Sequence, residues 1–203
     1  IKAFLTETGF ESANLGMQCF GGHGYINEWG VEQNVRDARI GMLYEGTTGI
    51  QALDLLGRKV LGTRGKALTP VTSFILDFCK RSRNRKELRP YLKTLVRLTK
   101  QWKSLTRKIG FSAMRNRDAV GAASVDYIMF SGYVLLGLAW AASARAAYRR
   151  LEEGTTEEAF YRAKIQTAEF YFAKILPRTT SLLETISTGP DTLMEMDENQ
   201  FIF

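Results

Sequence analysis

The stretch Leu43-Tyr44-Glu45-Gly46-Thr47-Thr48-Gly49-Ile50-Gln51 places a single carboxylate in a glycine turn directly before an apolar-periodic segment. Ile50, Leu53, Leu56 and Val60 recur at helical spacing, so a helix is expected from Gly46 to about Leu61 with Glu45 at its start. A lone acid at such a start is ordinarily a solvated first-turn residue, favoured there by the helix dipole. A second glycine turn upstream, Gln18-Cys19-Phe20-Gly21-Gly22-His23-Gly24-Tyr25, changes that reading because it carries aromatic neighbours and stands in a fixed order with the first.

Helical periodicity continues in both directions, and no run alternates apolar and polar residues well enough to read as a strand. Residues 1–19 read as the end of a helix, 20–30 as a loop and Val31 to Arg39 as a short helix. The opening Ile1-Lys2-Ala3 has no start-like composition, so the chain is taken as part of a longer protein. Residues 62–70 read as a linker, and two domains are expected, 1–65 and 66–203. Beyond the linker, helices are expected over 71–82, 86–109 and 117–153, and from a capping box at Thr155-Thr156-Glu157-Glu158 to about Ser187, kinked at Pro177. The tail from Asp191 is acidic, then apolar at Phe201-Ile202-Phe203. The expected fold class is all-α, with the second domain an antiparallel helical bundle.

Tyr127 to Ala144 carries no charge and reaches the lower length for a membrane span. Asp126 and Arg145 bound it tightly, and its small residues suit close helix packing, so it reads as the central helix of a bundle. The net charge is +7, with twelve Lys or Arg and one acid, Glu87, between Lys80 and Lys108. On a helix over 86–109, Leu88, Leu92, Leu95, Trp102, Leu105 and Ile109 share one face, and Lys93, Arg97, Lys100, Lys103 and Arg107 the other. Only Tyr91 and Trp102 interleave with these cations, which is poor grammar for nucleic-acid stacking. A solvated basic face that pairs with Glu152–Glu158 or the tail, or that meets anionic phosphates at a domain edge, is the expectation. Cys19 and Cys79 fit no metal or redox spacing and read as buried apolar residues in a reducing compartment, the cytoplasm. His23 is the only histidine, and with no Cys or acid cluster beside it no metal site is expected. Arg36-Asp37 reads as a structural ion pair or cap.

Taken together, Gln18-x-x-Gly21-Gly22-x-Gly24-Tyr25, Glu32-Gln33, Arg36-Asp37-Ala38-Arg39-Ile40, Tyr44-Glu45-Gly46-Thr47 and Ile50-Gln51 resemble the C-terminal helices of the FAD-dependent acyl-CoA dehydrogenases. Residues from about 70 onward resemble, by pattern and position, the extra helical domain of the longer members. The resemblance implies α,β-dehydrogenation of an acyl-CoA thioester, with Glu45 as the catalytic base and its backbone amide as one donor to the enolate oxygen. It implies FAD contacts at Gln18, Gly21, Gly22, Thr47 and Gly49, those of Gln18 and Gly22 to a flavin of the neighbouring subunit, and substrate contacts at Tyr44 and Gly46. A homo-oligomer with a shared flavin site follows, as does electron-transfer flavoprotein as the electron acceptor. The base chemistry needs a shielded carboxylate, because a thioester α-proton is a weak acid. The family's remaining flavin and substrate contacts lie outside these residues, so the chain alone is expected to be inactive. The alternative is a catalytically inactive helical module serving dimerisation or DNA binding.

Overall fold

In the computed structural model, residues 1–200 are described; the apolar Phe201-Ile202-Phe203 lies outside them. The described residues are predominantly helical and contain no strand, as the periodicity predicts. In chain order they form α1 (Lys2–Cys19), α2 (Gly22–Tyr25), α3 (Val31–Ile40), α4 (Thr48–Leu53), α5 (Leu68–Ser82), α6 (Arg89–Arg115), α7 (Asp118–Glu153), α8 (Glu158–Phe170), α9 (Arg178–Ser187) and α10 (Asp191–Met194).

Helix α7 is the axis of the molecule. Its apolar stretch is long enough to cross a membrane by composition, but 56% of its most apolar window is buried inside the protein. It packs against α6, α8 and α9 and also against α1 and α4. Tyr127, Phe130, Val134 and Ala141 of α7 are fully buried, as are Leu95 and Leu98 of α6. Each large apolar side chain so buried contributes about 1.5–3 kcal/mol relative to exposure. All six apolar-face residues predicted on the basic helix are buried, Leu88 through Ile109. Buried hydroxyls are satisfied locally: Thr99 Oγ1 donates to the Leu95 carbonyl at 2.7 Å, and Thr106 Oγ1 shares a 2.8 Å hydrogen bond with Tyr127 Oη.

Helix α4 continues into a π-helical segment over Asp54–Leu61. The wider turn shifts the side-chain register. Leu56 and Val60 therefore enter the core, whereas Ile50 and Leu53, on the same apolar stripe in the sequence, stay exposed. The chain turns at Arg64 and Gly65, both with positive φ, and α5 begins at Leu68, so the connection is shorter than the linker read from the sequence. One apolar core joins Phe4, Leu56 and Val60 to Leu95, Trp102, Tyr127 and Phe130 across this turn. A boundary at 65/66 is therefore a proposal about chain organisation, and the packing itself is continuous.

Several local expectations are corrected. The segment expected as one helix from Thr155 to Ser187 is broken by a π-helical turn over Tyr171–Ile175 ahead of Pro177. The capping box does not close. Glu157 N–H donates to Thr155 Oγ1 at 3.1 Å, while the Glu158 carboxylate faces along its own helix and accepts from Arg162 at 2.7 Å. Asp37 accepts from Gln33 Nε2 at 2.7 Å rather than pairing with Arg36, because adjacent helical residues do not face one another. Cys79 is buried, but Cys19 is exposed at the end of α1.

Candidate functional site

Glu45 sits in the turn between α3 and α4. Among the described residues it is one of two non-glycine residues with positive φ, at 54°, and is followed by Gly46 at 90°. A left-handed residue with a Cβ costs about 1–2 kcal/mol, so the turn needs external support. Helix α1 supplies it. Lys2 Nζ donates to the Tyr44 carbonyl at 2.8 Å and to the Gly46 carbonyl at 2.7 Å. Gln51 Nε2 donates to the Glu45 carbonyl at 3.3 Å. One turn further along α1, Glu7 accepts from the Thr48 hydroxyl at 2.5 Å and fixes the start of α4. All three carbonyls of the Tyr44-Glu45-Gly46 turn are thus held by side chains. The Glu45 N–H, by contrast, has no acceptor among the described residues.

Helix α1 is itself anchored to α7 at Gly132. A Cβ there would stand 2.1 Å from Phe4 Cγ, so only glycine lets the Phe4 ring lie against the α7 backbone. Phe4 then meets the Tyr133 ring edge-on at 5.0 Å. At the far side of α1, Arg178 of α9 pairs with Glu11 at 2.8 Å and donates to Tyr133 Oη at 3.2 Å. The guanidinium holds the Glu11 carboxyl below its ordinary range.

The Glu45 side chain is exposed, as are Tyr44, Ile50 and Leu53 around it. This chain does not enclose the carboxylate. An apolar cavity of about 400 Å³ lies among Phe4, Leu68, Trp102, Tyr127 and Leu136, and neither glycine turn lines it.

Gln18, Gly21 and Gly22 lie at the other end of α1. Sixteen residues of helix separate Gln18 from Lys2, about 24 Å at 1.5 Å per residue. One protomer therefore does not bring the two glycine turns together. Gly21, Gly22 and Gly49 have open space where a Cβ would stand, so their backbones can be approached closely. Thr47 and Gln18 are exposed, and their side chains make no hydrogen bond among the described residues. Both stretches are thus open to solvent in this chain. His23 packs edge-on against Trp29 at 5.8 Å, and the described residues contain no group of side chains that could hold a metal.

The exposed cations of α6 do not meet the acidic segment as the sequence suggested. The pair is made instead by Arg85, before the helix, whose guanidinium lies 2.5 Å from Glu152 and 3.5 Å from Glu87. Lys93, Arg97, Lys100, Lys103 and Arg107 form no ion pair among the described residues.

Two family models match the chain. The one described as acyl-CoA dehydrogenase, C-terminal domain, covers residues 1–61, including both glycine turns. The one described as acetyl-CoA dehydrogenase C-terminal like covers residues 71–197. The chain belongs to the acyl-CoA dehydrogenase family.

Among its relatives, a broad-specificity linear acyl-CoA dehydrogenase of Mycobacterium tuberculosis is 31% identical over 99% of this chain and 34% of its own length. A 3-methylmercaptopropionyl-CoA dehydrogenase of Ruegeria pomeroyi is 34% identical over 96% of the chain and 33% of its own length. A butyryl-CoA dehydrogenase of Syntrophomonas wolfei is 25% identical over 99% of the chain and 33% of its own length. The chain thus spans about a third of the length of these acyl-CoA dehydrogenases. The sequence alone did not signal the role of Lys2. A lysine in a first helical turn has no pattern to set it apart, and its carbonyl partners lie more than forty residues downstream.

Proposed function

We propose that this chain supplies the catalytic-base segment of an FAD-dependent acyl-CoA dehydrogenase acting on the Cα–Cβ bond of an acyl-CoA thioester. The observation that carries the reading is Glu45: a carboxylate on a left-handed residue, in a turn whose carbonyls are all occupied and whose own amide is free. Strain of this kind persists where the surroundings over-determine it, and it concentrates at functional sites.

In this reading the Glu45 carboxylate takes the α-proton, and the Glu45 N–H donates to the thioester oxygen as negative charge builds there. A fixed donor aimed at developing charge is typically among the strongest contributions to such catalysis. Tyr44 and Gly46 border the thioester, and exposed Ile50 and Leu53 offer apolar surface beside it. FAD, when bound, accepts the hydride that leaves the β-carbon. Thr47 and Gly49 would meet it near the reacting ring. Gln18, Gly21 and Gly22 would meet the far end of a partner subunit's FAD, which accords with the length of α1 between the two clusters. Shielding of Glu45 from water would come from protein beyond this chain. A homo-oligomer is part of the proposal, as are a cytoplasmic setting and electron-transfer flavoprotein as acceptor. The acyl group is set elsewhere, since relatives named for different acyl-CoAs match this segment alike.

The test is anaerobic addition of acyl-CoA to the flavin-loaded full-length protein. Loss of flavin absorbance with equimolar enoyl-CoA supports the proposal. A flavin that stays oxidised across linear, branched and sulfur-containing acyl-CoAs contradicts it.

A further inference from the structure

We infer that Lys2 is a positioning residue for this proton abstraction, acting through the peptide that joins Tyr44 to Glu45. The inference rests on the reading of Glu45 as base and of its N–H as a donor to the thioester oxygen.

The Tyr44 carbonyl and the Glu45 N–H are the two ends of one planar, conjugated peptide group. Lys2 Nζ donates to that carbonyl at 2.8 Å. A cation on the oxygen draws electron density across the plane and makes the N–H at the other end a stronger donor. Charge-assisted hydrogen bonds are roughly twice as strong as neutral ones. Bonds in such chains reinforce one another by about 10–30% each. The polarised N–H has no acceptor among the described residues, as is also true of the next amide, Gly46 N–H.

The charge is directed at the turn. Lys2 is half-buried, and no carboxylate lies within ion-pairing distance of it among the described residues. Its second bond, 2.7 Å to the Gly46 carbonyl, closes a fork that fixes the residues on both sides of Glu45. Its position is set by Phe4 wedged at Gly132 and by the bond from Thr48 to Glu7. Lys2 thus does two things at once: it holds Glu45 in its left-handed conformation and charges the amide that would meet the enolate oxygen.

The test uses the flavin-loaded full-length enzyme with Lys2→Met, which keeps the stem and removes every donor, and Lys2→Gln, which keeps a neutral donor. Flavin content, kcat and KM are measured, together with the infrared stretch of a bound acyl-CoA carrying a labelled thioester carbonyl. Weakening one oxyanion donor predicts a kcat fall of about 10-fold or more in Lys2→Met, and a smaller fall in Lys2→Gln. KM and flavin content stay near wild type, and the carbonyl band moves back toward its frequency in water. Wild-type kcat and an unmoved band in both variants overturn the inference alone, provided Glu45→Gln has lost flavin reduction. Normal reduction in Glu45→Gln overturns the reading of Glu45 and this inference with it. Loss of bound flavin from both Lys2 variants assigns Lys2 a purely structural role and also overturns it.

Discussion

Lys2 and Glu45 are coupled through backbone: the Lys2 ammonium binds the carbonyls on either side of Glu45, and Glu45 stands between them at a φ of 54°. The first helix and the Tyr44-Glu45-Gly46 turn are therefore one mechanical unit, although they are far apart in sequence.

The strained conformation of Glu45 has a measurable cost. Replacing it with glycine relieves a left-handed penalty of about 1–2 kcal/mol, partly offset by about 0.5–1 kcal/mol of added backbone freedom in the unfolded chain. Glu45→Gly is expected to raise the denaturant midpoint of the chain slightly while abolishing flavin reduction in the full-length enzyme. A clear loss of stability would contradict the reading of strain retained for function.

Gly132 sets how closely α1 approaches α7. An added Cβ collides with the Phe4 ring, which already packs edge-on against Tyr133. Gly132→Ala is expected to destabilise the chain by about 1–3 kcal/mol, the usual range for overpacking. Urea titration followed by tryptophan fluorescence measures this. A neutral result would mean that α1 docks with slack.

The Glu11–Arg178 pair ties α1 to α9. Its hydrogen bond and charge lower the Glu11 pKa, so its stabilisation is present above the ordinary carboxylate value of 4.5 and is lost as pH falls through the lowered one. Both side chains are about 40% exposed, so screening limits the contribution to less than about 1 kcal/mol. Melting of wild type and Glu11→Gln should differ modestly at pH 7 and converge as pH falls through the lowered Glu11 pKa. A gap that widens on acidification would reverse the sign.

The two cysteines should separate cleanly. Burial pushes the Cys79 thiol up to about 11 and hides it, whereas Cys19 is exposed. A thiol reagent at neutral pH is expected to label one cysteine in the folded chain and two after denaturation. Rapid labelling of both in the folded chain would contradict this packing.

The long helices were legible because their faces are segregated. Leu88 to Ile109 on one side and Lys93 to Arg107 on the other permit only one orientation against a core. The uncharged run of α7 was likewise legible as the bundle axis. What escaped reading was π-helical widening at Asp54–Leu61 and Tyr171–Ile175, where one extra residue per turn rotates a stripe without leaving a compositional mark. The capping box failed because Arg162, four residues on, offers Glu158 a charged partner on its own helix. At the site, the tight glycine turn carrying Glu45 was legible, but the positive φ of Glu45 itself was not. The open amide and the fork from Lys2 were not, because they depend on where α1 lies. The sequence brings the two glycine turns into one motif series, but α1 holds them about 24 Å apart along its axis, at 1.5 Å per residue.

The most direct measurement of the central claim is flavin reduction by acyl-CoA in full-length wild type and Glu45→Gln, followed anaerobically by stopped-flow absorbance. Glutamine keeps the shape and the backbone donor but cannot take the α-proton. The account predicts that the variant binds flavin and acyl-CoA yet leaves the flavin oxidised. Reduction at the wild-type rate would contradict it.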